Sequence, residues 1–85
     1  MVQKATTLTD LNLREILKRI EKRYGVKLPE RVVAADLGLD FNDLFLKFSH
    51  DEIKEGEPSK DGLVIFHYSQ REELVAIEIM DLAEL

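Results

Sequence analysis

Leu63-Val-Ile-Phe-His-Tyr-Ser-Gln-Arg-Glu-Glu-Leu-Val-Ala-Ile-Glu-Ile-Met80 is two apolar runs around a polar centre. Leu63–Tyr68 is rich in β-branched and aromatic residues, residues 69–73 are polar, and Leu74–Met80 sets Val75, Ile77 and Ile79 on one face at a period of two. This reads as a hairpin of two strands, opened by Gly62. Upstream, Ser49–Gly62 carries Asp51, Glu52, Glu55, Glu57, Pro58 and Asp61, which suits a surface connection rather than core. Before it, Leu44, Leu46 and Phe48 alternate with Phe45, Lys47 and Ser49, the pattern of a half-buried strand.

Val33, Ala35 and Leu37 also alternate with polar or small residues, so a strand over Val32–Leu37 is expected. The competing reading is a short helix over Pro29–Leu37, with Pro29 in its first turn and Gly38 as its stop. The N-terminal part has a different period. Leu13, Ile16, Leu17, Ile20 and Tyr24 draw a single stripe at helical spacing. Thr9 is the expected N-cap with Leu8 as a staple, Lys22 and Arg23 suit the negative end of the helix dipole, and Gly25 suits a left-handed stop. The fold class is therefore α+β: an amphipathic helix packed on an antiparallel meander of about four strands, in one domain spanning residues 1–85.

Composition narrows the function classes. The 85 residues contain no cysteine, which excludes disulfides and thiolate chemistry and suits a reducing, cytoplasmic setting. The start of the chain is polar, and no apolar run reaches the roughly 18 residues of a membrane span. Charge is unevenly placed: residues 1–31 hold eight Lys and Arg against four acids, and residues 32–85 hold four against thirteen. A basic helical segment thus precedes an acidic sheet segment.

Residues 37–82 resemble the small prokaryotic family described as domain of unknown function 2283. The similarity lies in Asn42, Asp43, Leu44, Phe45, Leu46 and Lys47, then in Gly62, Val64, Ile65, Phe66 and Tyr68, and finally in Leu74, Val75, Ala76, Ile77, Glu78 and Ile79. Where that family favours acidic residues beside the tyrosine this chain has His67 and Ser69, and where glycine is usual it has Glu72 and Ala76. The N-terminal helix lies outside the match. The resemblance implies a small β-sheet domain with no assigned activity, some of whose relatives look like one half of toxin–antitoxin pairs. Val26–Phe48, with Leu28-Pro29 and Leu37-Gly38-Leu39, also resembles the swapped-hairpin DNA-binding antitoxins, with Asn42 where those have glycine.

No catalytic or cofactor-binding constellation stands out. His50, Asp51 and Glu52 are adjacent in sequence, and neighbours of this kind rarely converge on a metal. His67 has the chemistry of a general base but no second titrating group placed beside it, and Glu78 on an alternating strand reads as a water-facing or dimer-facing carboxylate. Ser49 and Ser69 lack the glycine-flanked elbow of a nucleophile. The leading expectation is a noncatalytic protein-binding module, antitoxin-like and homodimeric, that uses Phe45, Phe66 and Tyr68. The alternative is a nucleic-acid-binding regulator using the ridge of Arg14, Lys18 and Lys22, near Arg19, Arg23, Lys27 and Arg31.

Overall fold

The computed structural model describes residues 12–38 and 42–85. Helix α1 spans Leu13–Tyr24 and is followed by five strands: β1 Ala34–Leu37, β2 Leu44–Lys47, β3 Glu55–Pro58, β4 Val64–Tyr68 and β5 Leu74–Ile79. A single 3-10 turn, Leu82–Glu84, follows β5. The strands form one antiparallel sheet in the order β1-β2-β5-β4-β3.

Helix α1 starts at Asn12, whose side chain accepts from the Glu15 N–H at 3.0 Å and so satisfies a donor that the first turn leaves free. Asn12 therefore takes the capping role expected of Thr9; Thr9 and Leu8 lie outside the described residues. Gly25 ends the helix at φ 67°, a conformation that costs glycine little, and its N–H closes on the Glu21 carbonyl. Glu21 also accepts from the Leu28 N–H through its carboxylate at 2.7 Å, which turns the chain back along the helix.

Residues 34–37 are strand β1, which removes the short-helix alternative. Pairing explains the outcome: Ala35 lies opposite Leu46 and Leu37 opposite Leu44, so the alternation of β1 matches that of β2. The larger correction concerns Ser49–Gly62, expected as a plain connection. Within it Glu55–Pro58 forms β3, and the sheet has five strands rather than four. Glu, Gly and Pro are poor strand formers. An edge strand bonds on one side only, however, and β4 supplies that side along the register Glu55–Tyr68 to Pro58–Ile65. The meander also changes. β3, β4 and β5 are consecutive neighbours, but β2 pairs with β5, Lys47 opposite Ala76, and the whole β3–β4 hairpin lies between them in the chain.

The core lies between α1 and one face of the sheet. Leu17 and Ile20 join Leu44, Leu46, Val64, Phe66, Ile77 and Ile79 in one buried cluster, closed at its margin by Leu28, Phe48 and Leu63. Tyr24 stands edge-on to Phe66, with ring centroids 5.9 Å apart and planes at 87°. Ile20 is fully buried at 0% exposure, so it is the residue that most directly tests docking of the helix. We expect Ile20→Ala to cost about 2–5 kcal/mol in urea unfolding. Arg19→Ala, which removes only the exposed pair with Glu15 at 3.5 Å, should cost about 0.5 kcal/mol or less. Equal effects of the two would mean that the helix is not seated on the sheet.

Candidate functional site

Strand register places two short rows of residues on the sheet face opposite the helix. One row runs Ala34, Lys47, Ala76, His67, Gly56 across the five strands, and the next runs Asp36, Phe45, Glu78, Ile65, Pro58. The helix, the turn after it and the C-terminal residues Leu82 and Leu85 all pack with the cluster on the other side. Among the described residues no helix or loop is part of a core on this second face.

The face is neither polar nor fully exposed. Ala76 is 0% exposed, while Phe45, Ile65, Lys47, His67 and Glu78 are half-buried. The His67 side chain is 16% exposed and its ring lies 5.6 Å from that of Phe45, tilted by 56°. Gly56 permits this placement, because a Cβ there would sit 3.0 Å from His67 Nδ1 and 3.1 Å from Ile65 Cγ2. Nε2 is 3.5 Å from Glu78 Oε1, an electrostatic contact but not a hydrogen bond, and neither ring nitrogen has a hydrogen-bond partner. Buried polar atoms are ordinarily satisfied, so this imidazole is the least settled group of the fold.

A second cluster sits at the helix C-terminus. Asp61 accepts from the Ser59 hydroxyl at 2.6 Å, the Leu63 N–H at 3.1 Å, the Tyr24 hydroxyl at 3.0 Å and Arg23 at 3.1 Å. Arg23 also donates to the Glu84 carbonyl at 2.9 Å, so one carboxylate ties the helix end, the β3–β4 turn and the C-terminal turn together. These donors, led by Ser59 and Leu63, hold the Asp61 carboxyl well below the usual carboxylate range. Burial, with the nearby Asp61, raises the Tyr24 phenol. Burial also raises the Tyr68 phenol, with Glu57 adding to it. This exposed cluster reads as a clamp that orients the helix.

The structure separates the three residues expected at a partner surface. Phe45 is on the open face; Phe66 is 8% exposed inside the core, beneath Tyr24; Tyr68 is half-buried at the margin of that same core. Phe66 therefore packs the fold and is not presented to a partner in this arrangement. Arg14, Lys18 and Lys22 are exposed and make no salt bridge among the described residues, whereas Arg19 pairs with Glu15 and Arg23 with Asp61. Arg14 and Lys18 border a groove of about 520 Å³ between α1 and residues 27–32, floored by Leu17, Leu28 and Val32; Lys22 is outside it. His50, Asp51 and Glu52 are exposed, and no group of three or more metal-ligating side chains converges among the described residues. No helix among those residues is long and apolar enough to cross a membrane.

Sequence reading missed Lys47, Ile65, Gly56 and Asp36 as neighbours of Phe45 and His67. The available signal was the off-core parity of β2 and β4, but only the β2–β5 pairing makes those parities into one surface. Searches of family models, curated proteins and solved structures return no match to this chain. The resemblance to the domain of unknown function family thus rests on the residues quoted for it.

The Asp61 clamp makes a pH prediction. Because its folded carboxyl is depressed, its contribution is present above the ordinary carboxylate pKa of about 4 and is lost as pH falls through and below that value. Asp61→Asn should lower Tm at pH 7 and flatten the acid limb of a Tm–pH curve between pH 7 and 3. Parallel curves for variant and wild type would contradict the clamp.

Proposed function

We propose that this chain is a noncatalytic protein–protein interaction module that works through the sheet face its helix leaves open. The observation that carries this reading is the packing asymmetry: one face has a helix and a contiguous core, and the other holds the half-buried Phe45, Ile65 and His67 with no helix or loop of the described residues forming a core over them. Half-buried aromatic and branched side chains beside charged ones are the composition of a recognition surface rather than of a solvated sheet. An antitoxin-like role, in which a small domain binds and restrains a protein partner, is the biological form that the family resemblance adds.

A second reading is favoured by one observation of its own. Arg14, Lys18 and Lys22 line up at i, i+4 and i+8 on the exposed side of α1 without acidic partners among the described residues, and clustered unpaired cations are what phosphate neutralisation requires. Nucleic-acid binding by that ridge is the alternative.

The two readings separate by mutation. Affinity capture from host extract is run with wild type, with Phe45→Ser plus Ile65→Thr, and with Lys18→Glu plus Lys22→Glu, each checked for folding by circular dichroism. The interaction reading expects a partner retained by wild type and by the ridge variant and lost, at least tenfold, by the face variant. Retention by the face variant overturns it. Salt-sensitive binding to duplex DNA that only the ridge variant loses would put the alternative in its place.

A further inference from the structure

We infer that the open face is built to pair with a second copy of this chain, face to face, about a two-fold axis running across the strands. The inference rests on the interaction reading above and names its partner. Its basis is the charge order of the two rows. The row through Ala76 carries Lys47 and His67, and the row through Glu78 carries Asp36 and Glu78. Cationic and imidazole groups thus occupy one row and carboxylates the other, separated by one pleat along the strands.

An isologous contact between two such faces has two simple in-plane axes. An axis along central strand β5 lays each row on its own copy: Glu78 faces Glu78, Lys47 faces His67, and Asp36 remains in the acidic row. Like charges meet. An axis across the strands, between the rows, lays each row on the other. Lys47 then comes over Phe45 of the second copy, flanked by that copy's Asp36 and Glu78, and His67 comes over its Ile65 beside its Glu78. This arrangement gives Lys47, which makes no salt bridge among the described residues, two carboxylates.

Aligned sheets pack face to face at about 10 Å, a distance that side chains the size of Phe, Ile, Lys and His bridge. Five strands at about 4.8 Å by two rows of residues give a face of only a few hundred Å² per copy, below the roughly 800 Å² per partner of a standard interface. The association is accordingly weak, with a dissociation constant in the range of about 10–500 μM.

The test is sedimentation equilibrium of the full chain over a concentration series, with charge-swapped variants. Wild type is expected to dimerise in that range. Lys47→Glu, which makes every charge on the face acidic apart from the imidazole, should weaken self-association at least tenfold. Asp36→Lys plus Glu78→Lys, which makes the face basic, should do the same. A one-to-one mixture of the two variants should recover a heterodimer at least as tight as wild type, because residue 47 of each copy then lies between two opposite charges of the other. Amide spectra of each variant establish that the monomer remains folded. A wild type that stays monomeric at 1 mM, or a mixture that shows no recovery, overturns the pairing. In an isotope-filtered NOE experiment on mixed labelled and unlabelled wild type, contacts from Phe45 and Ile65 to the other copy support it. Contacts to Phe45 and Ile65 from residues 1–11 of the same chain, in the unfiltered spectrum of a uniformly labelled sample, would overturn it. Loss of a different protein partner on Phe45→Ser in an otherwise monomeric chain would sink the self-pairing while leaving the interaction reading intact.

Discussion

Pairing of β2 with β5 is the constraint on which the rest of the molecule depends. Strand β5 is bonded on both sides, to β2 through Leu44–Ile79 and Leu46–Ile77, and to β4 through Val64–Ile79 and Phe66–Ile77. Ile77 and Ile79 are consequently fully buried, in the same cluster as Leu17 and Ile20 of the helix. Without this ladder the chain divides into a two-stranded β1–β2 hairpin and a three-stranded β3–β4–β5 sheet. A lone hairpin is marginally stable in water, so the N-terminal strands depend on β5 for their persistence. The price of the arrangement is entropic, since the intervening hairpin must be enclosed before the β2–β5 contacts form.

Local periodicity made the helix, the hairpin β4–β5 and strand β2 legible, because each has one face buried and the burial repeats at the period of its backbone. The Leu13–Tyr24 stripe and the alternation of Leu44–Lys47 are of this kind. Strand β3 was not legible, for an equally physical reason. Glu55-Gly-Glu-Pro58 is exposed at every position, and what holds it in the sheet is the backbone of β4, to which its side chains give no clue. The cap at Asn12 was masked by a competing capping pattern at Thr9. For the candidate site, the off-core parity of Phe45 was legible in the alternation of its strand, whereas Phe66, expected at the surface, shares the parity of Val64 and lies in the core.

The two edges of the sheet are managed differently. Strand β3 ends in Pro58, which lacks a donor, and carries Glu55 and Glu57, whose charges disfavour the approach of another strand. Strand β1 contains only one charge, Asp36, and no proline. Both edges are four residues long, and short edges limit the gain from adding a strand. Edge-to-edge addition therefore recruits few hydrogen bonds at either side.

Charge placement supports the same division of labour. The basic character of α1 is only partly consumed within the fold: Arg23 is anchored by Asp61 and Glu84 and Arg19 by Glu15, while the ridge points away from the sheet. The ridge and the open face thus lie on opposite sides of the molecule, separated by the core. A partner on one need not displace a partner on the other, and the helix clamp at Asp61 touches neither. It holds the end of α1 where Tyr24 stands edge-on to Phe66, and Phe66 alternates along β4 with His67 on the far face. The order of the far face is in this sense set by packing on the near one.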